Sequence, residues 1–183
     1  MAPNRRGCLV PGPAPVSLMP NRVRSPYDPL DPASGVATMS QNTRVLKASP
    51  EAVWEVLADG WLYPVWVVGA SRMREVDSSW PKPGSQLHHS VGAWPALIDD
   101  TTEVIESTPG QLMSLRARGW PAGEADVLIR LRPSGTGTEV SITEDVARGP
   151  GRLMPKLIRD PVLSWRNVET LRRLAYVAER RNK

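Results

Sequence analysis

Turn chemistry recurs at intervals of about 10–14 residues between Val68 and Val146, and this punctuation constrains the fold more than any other feature. Pro81-Lys82-Pro83-Gly84, Trp94-Pro95, Thr108-Pro109-Gly110, Gly119-Trp120-Pro121-Ala122-Gly123 and Pro133-Ser134-Gly135-Thr136-Gly137 each interrupt the chain. The runs between them predict strands over 68–76, 86–91, 99–106, 111–118, 124–132 and 138–146. Connections this short join antiparallel neighbours, since a parallel crossover needs about a dozen residues or more. In the later runs apolar and polar residues alternate. Ala125, Val127, Ile129 and Leu131 share one face, and Val140, Ile142, Glu144 and Val146 share another. A sheet with one dry and one wet face follows.

Two capped helices bracket these runs. A first strand over 43–47 ends at Ser49-Pro50-Glu51. Ser accepts an otherwise unpaired N–H, Pro fits the first helical position, and Glu complements the positive helix end. Ala52, Val53, Val56 and Leu57 then form an apolar face at helical spacing. Gly60 suits the end of this helix, and Pro64 sits early in a second short one. At the other end, Asp160-Pro161 repeats the cap, opening a helix to about Arg180. Its apolar stripe is read as Ser164, Val168, Leu171, Ala175 and Ala178, with Trp165 and Leu174 at the margins.

The chain has 183 residues, enough for one domain with a substantial core. Residues 1–38 hold eight of the 19 prolines without periodicity and read as a disordered extension, leaving one domain over 39–183. Met39 stands directly before the first periodic residues and is a candidate translation start. Prolines 11, 13 and 15 break any signal-peptide core. Cys8 is the only cysteine, which suits a reducing, cytoplasmic setting and excludes an intrachain disulfide or a Cys-based metal site. No run approaches the about 20 apolar residues that span a bilayer. The net charge of +4 is uneven: +7 from Arg148 onward, +2 over 1–38 and −5 between. With the body acidic and no recognition motif, nucleic acid is excluded as a partner.

The order strand, two short helices, about six antiparallel strands, long terminal helix resembles the helix-grip fold of the START and birch-pollen-allergen superfamily (SRPBCC), in its bacterial polyketide cyclase/dehydrase-like branch. Three stretches carry the resemblance: Ser49 through Leu57, Glu103 through Leu112 with its Thr108-Pro109-Gly110 turn, and Gly135 through Glu144 followed by the terminal helix. It spans roughly residues 40–181. It implies an α+β domain in which a curved sheet of about seven strands wraps a long C-terminal helix. It also implies a cavity between them that binds a lipid, polyketide or isoprenoid-like molecule. Some members cyclise or dehydrate polyketides instead.

Candidate site residues follow from the strand faces. His88 and His89 are the only histidines and point to opposite faces. His89 shares its face with Leu87 and Val91, as a pocket residue or a hydrogen-bonded core histidine. Glu144 lies among Val140, Ile142 and Val146. A carboxylate there needs a partner, such as Arg72 or Arg116, or a task as a polar anchor or acid/base. His89 and Glu144 are thus the candidate proton-transfer groups of an enzyme. Seven tryptophans and no phenylalanine make Trp the main aromatic. Trp61, Tyr63, Trp66, Trp94, Trp120 and Trp165 fall where a helix grip approaches its cavity and mouth, as lining or as core. The acidic run Asp99-Asp100-Thr101-Thr102-Glu103 splits its carboxylates across two faces and reads as a solvated strand start, so no metal is expected. Nothing demands a cofactor. Arg159, Arg166, Arg172, Arg173, Arg180 and Arg181 read as a solvated helix face, with anionic-membrane contact as the lesser reading. A groove docking a partner's helix is a third reading of the module. The protein is expected as a monomer or homodimer.

Overall fold

The computed structural model describes residues 40–119, 123–149 and 156–181. The extension over 1–38 and Trp120 lie outside them.

Ser40–Leu46 forms β1. The chain turns at Ser49, whose Oγ accepts the Ala52 N–H at 3.3 Å, and enters α1, Pro50–Ala58, with Pro50 in its first turn. A 3₁₀ turn, Gly60–Leu62, leads to the single-turn α2, Tyr63–Trp66. Gly60 is not a left-handed cap: Asp59 closes α1. Its need is space, since a Cβ there would lie 2.7 Å from Leu87 Cδ2 and 2.8 Å from Val76 Cγ1.

Six strands follow: β2 Ala70–Val76, β3 Gln86–Ala93, β4 Ala96–Thr108, β5 Leu112–Gly119, β6 Gly123–Ser134 and β7 Gly137–Arg148. All pairings are antiparallel, in the order β1-β7-β6-β5-β4-β3-β2. Beyond β1, which joins the far edge beside β7, the sheet is the meander that the turns predict. β3, β4, β6 and β7 extend past the predicted strands, β4 most, because pairing carries them into their turns, whereas β2 starts two residues later than predicted and β5 is shifted by one.

β2 departs from alternation. Its register shifts between Ala70 and Arg72 and between Met73 and Glu75. Each bulge adds a residue and reverses the phase, so the partly buried positions are Ala70, Met73 and Val76, three apart. Arg72, expected inward, is therefore exposed.

The terminal helix α3, Lys156–Arg181, starts before the expected Asp160-Pro161 cap and carries Pro161 inside it. Pro161 is the sixth residue of this helix and has no N–H to give the Leu157 carbonyl one turn back. Asn167, Thr170, Leu171, Leu174, Ala175 and Ala178 are buried, whereas Val168 is half exposed. The inward stripe is thus rotated from the one read off the sequence. Among the described residues, the core joins Val53, Val56 and Leu57 of α1 and Leu171 and Leu174 of α3 to Leu87, Val104, Met113, Ile129, Val140 and Ile142 of the sheet. The C-terminal end of α3 is tied down by Arg181 to Asp59 at 3.1 Å and by Glu179, which accepts the Lys47 N–H at 2.8 Å.

Candidate functional site

A cavity of about 70 Å³ lies between the sheet and α3. Leu115 and Ala117 of β5, Val127 and Ile129 of β6 and Ile142 of β7 form its sheet wall. These are inward residues of alternating strands, as an apolar face requires. Tyr63 and Trp66 of α2, with Val67, close one side. Arg166, Asn167 and Thr170 face it from α3.

Tyr63 and Trp66 meet edge to face at 5.4 Å, and both are buried. Tyr63 Oη shares a 3.2 Å hydrogen bond with Thr102 Oγ1, and His89 Nε2 another with the same oxygen at 2.9 Å. The His89 and Tyr63 rings lie 5.1 Å apart. Burial pulls the His89 imidazole down to about 4, against a smaller upward pull from the Ser90 backbone, so it is neutral at pH 7. Burial likewise pushes the Tyr63 phenol above its ordinary range. The chain Tyr63–Thr102–His89 is thus a row of neutral groups leading away from the cavity wall.

Glu144 is 2% exposed and accepts a short hydrogen bond through Oε1 from Arg166 Nη2, while Oε2 is unpaired. Its partner comes from α3, not from Arg72 or Arg116. Arg116 instead pairs on the neighbouring strand with Asp126 at 2.9 Å. The acidic run divides as alternation predicts, but only half is solvated. Asp99 is exposed and pairs with Arg74 at 3.4 Å. Asp100 is 6% exposed, stands opposite His89 in the β3–β4 register, and burial raises its carboxyl pKa. Among the described residues no group of His, Cys, Asp and Glu is placed to hold a metal.

Of the sequence candidates, the structure puts Tyr63 and Trp66 on the cavity, His89 behind Tyr63, and Glu144 behind Arg166. Trp61, Trp94 and Trp165 are 59%, 86% and 66% exposed and are not among the residues that border it. Sequence reasoning missed Asn167, Thr170 and Thr102, and placed Arg166 on the solvated face. Counting back seven from Leu174 or four from Leu171 reaches Asn167, so the helical signal was present but masked by polar residues.

Residues 38–179 match the model of a family described as polyketide cyclase/dehydrase and lipid transport. No curated protein matches the chain. A protein from Nitrosomonas europaea has a similar structure, with 18% identity and a TM-score of 0.62 over 78% of this chain and 94% of that one. The di-domain ARO/CYC StfQ from the steffimycin biosynthetic pathway is similar at 12% identity and TM-score 0.61, over 78% of this chain and 50% of its own. Ara h 8.0201 is similar at 12% identity and TM-score 0.57, over 77% and 97%. At these identities the likeness is one of fold. With most of its length matched by the family and its sheet wrapped on α3 in the same way, the chain belongs to the polyketide cyclase/dehydrase and lipid transport family of the helix-grip SRPBCC superfamily.

Proposed function

We propose that the protein binds a hydrophobic small molecule, of lipid, polyketide or isoprenoid-like character, between the sheet and α3. One observation carries this reading: a space left in an otherwise packed core, with Leu115, Val127, Ile129 and Ile142 on one wall and a few buried polar groups on the other. That pairing of apolar walls with sparse polar groups is what small-molecule sites have in common. The space is about 70 Å³. Ligand pockets run to about 300–1,000 Å³, so a larger molecule enters only as α3 swings away from the sheet. The test is binding of the neutral dye Nile red to the native protein and to Ala117→Leu, which fills the space. Saturable binding that Ala117→Leu abolishes supports the reading; equal binding by both proteins rejects the cavity as the site.

A second reading, a polyketide aromatase/cyclase or dehydratase using His89 and Glu144, has one observation in its favour. His89 is a neutral base joined through Thr102 to Tyr63 on the cavity wall. Against it, neither His89 nor Glu144 lines the cavity, and Glu144 is engaged by Arg166. We therefore place ligand binding first.

A further inference from the structure

Two residues that line the cavity carry unpaired hydrogen-bond donors. Trp66 Nε1 and Asn167 Nδ2 are buried without a partner, on residues only 2% and 3% exposed, and both residues border the same space. The hydroxyls around it each have a partner already. Tyr63 Oη is bonded to Thr102, and Thr170 Oγ1 accepts the Val68 N–H at 3.3 Å. Leaving a buried donor unpaired costs stability, and native proteins keep few such groups. Two on one small cavity point to a missing acceptor.

Charge narrows the acceptor. Arg166 is the cation on the cavity, and its partner Glu144 is already there, almost wholly buried. The pair sums to zero. A carboxylate entering beside it would add an uncompensated negative charge to a poorly hydrated site, which is strongly unfavourable. A carbonyl oxygen brings no net charge and has two lone pairs for two donors.

We infer that the cavity holds the carbonyl oxygen of a neutral apolar molecule (a ketone, ester, lactone or quinone) on Trp66 Nε1 and Asn167 Nδ2, and selects against carboxylates of the same size. This rests on the ligand-binding reading above and names the chemistry of its ligand. The Arg166–Glu144 pair acts as the selectivity element by keeping the site neutral.

The test uses 2-heptanone, heptanoate and n-hexane as probes at pH 7.5. The ¹⁵N-labelled full chain is followed at the Trp66 indole N–H resonance, assigned with Trp66→Phe. The ketone is expected to bind at least about ten-fold more tightly than heptanoate and to move that resonance. Glu144→Gln, which leaves Arg166 uncompensated, is expected to shift the preference toward heptanoate by about ten-fold. Equal or tighter binding of heptanoate by the native protein overturns the inference. So does ketone binding that leaves the Trp66 resonance in place, as bound water alone on the donors would produce. Hexane binding as tightly as the ketone removes the carbonyl anchor but spares the ligand-binding reading. If no probe binds, and Nile red does not either, the underlying reading falls with it.

Discussion

Glu144 and Arg166 form one pair, but their exposures make the two ends unequal. The Glu144 side chain is 1% exposed and that of Arg166 37%. Removing the cation strands a buried carboxylate, whereas neutralising the carboxylate leaves a guanidinium that already reaches water where it stands. Arg166→Met is therefore expected to cost about 3–5 kcal/mol. Glu144→Gln, which keeps shape and one acceptor, should cost less than about 1.5 kcal/mol. Urea denaturation at pH 7.5 measures both, and the reverse order would refute the burial argument. His89 governs a separate pH dependence. Its folded pKa of about 4 lies below the ordinary value of 6.5. Between these values the unfolded chain binds a proton that the folded protein refuses. The stability involved is whole above pH 6.5 and is lost as pH falls toward 4. From pH 7.5 to 5 the native protein should lose about 2 kcal/mol more than His89→Gln does, as compared by urea midpoints at both pH values. The inward placement of His89 and Glu144 was legible in the sequence because each stands in a run whose apolar residues recur at every second position. Their partners were not, since Thr102 and Arg166 come from other elements.

At the scale of elements, the sequence read best where one local rule governs a segment. The Ser49 cap, the Pro50 start and the strand turns all depend on residues a few positions apart, and the structure has the cap, the start and the described turns where they were expected, the turn over 120–122 lying outside the described residues. It read worst in β2 and α3. Two bulges in β2 turn a period of two into three, and bulges arise from how β3 pairs with it. In α3 two candidate stripes overlap, one through Val168 and one through Asn167, and only the docked sheet selects between them. The rotation is testable: Leu171→Ala should cost about 2–5 kcal/mol, while Val168→Ala, half exposed, should stay within about 0.5 kcal/mol. Thermal or urea unfolding that ranks them equally would put the helix in the wrong phase. Gly60→Ala is expected to cost about 1–3 kcal/mol through overpacking, because its Cβ would meet Leu87 and Val76 inside contact distance. A neutral outcome there would mean that the glycine serves the turn and not the close approach.

For the whole molecule, the proposed binding requires the sheet and α3 to part around the cavity. Among the described side chains of α3 the buried ones begin at Asn167, and those described between 157 and 165 are exposed or partly so, with Leu157 at 90% and Trp165 at 66%. Local opening is cheapest where burial is least. Amide hydrogen exchange should therefore be faster over 157–165 than over 170–178, with the ligand slowing the first segment more. Uniform protection along the helix would rule out its N-terminal half as the moving part. No helix among the described residues is long and apolar enough to cross a membrane. The sequence by itself determined the antiparallel meander, the capped first helix, the long terminal helix and the inward faces of β6 and β7. All of these follow from periodicity and turn chemistry within a few residues. Tertiary structure alone decided which way α3 turns, which cation meets Glu144, and that Trp66 and Asn167 keep free donors on one small space. Those outcomes depend on residues from 22 positions apart, as for Glu144 and Arg166, to roughly a hundred, as for Trp66 and Asn167, being brought together, and chain-local pattern carries no record of such distances.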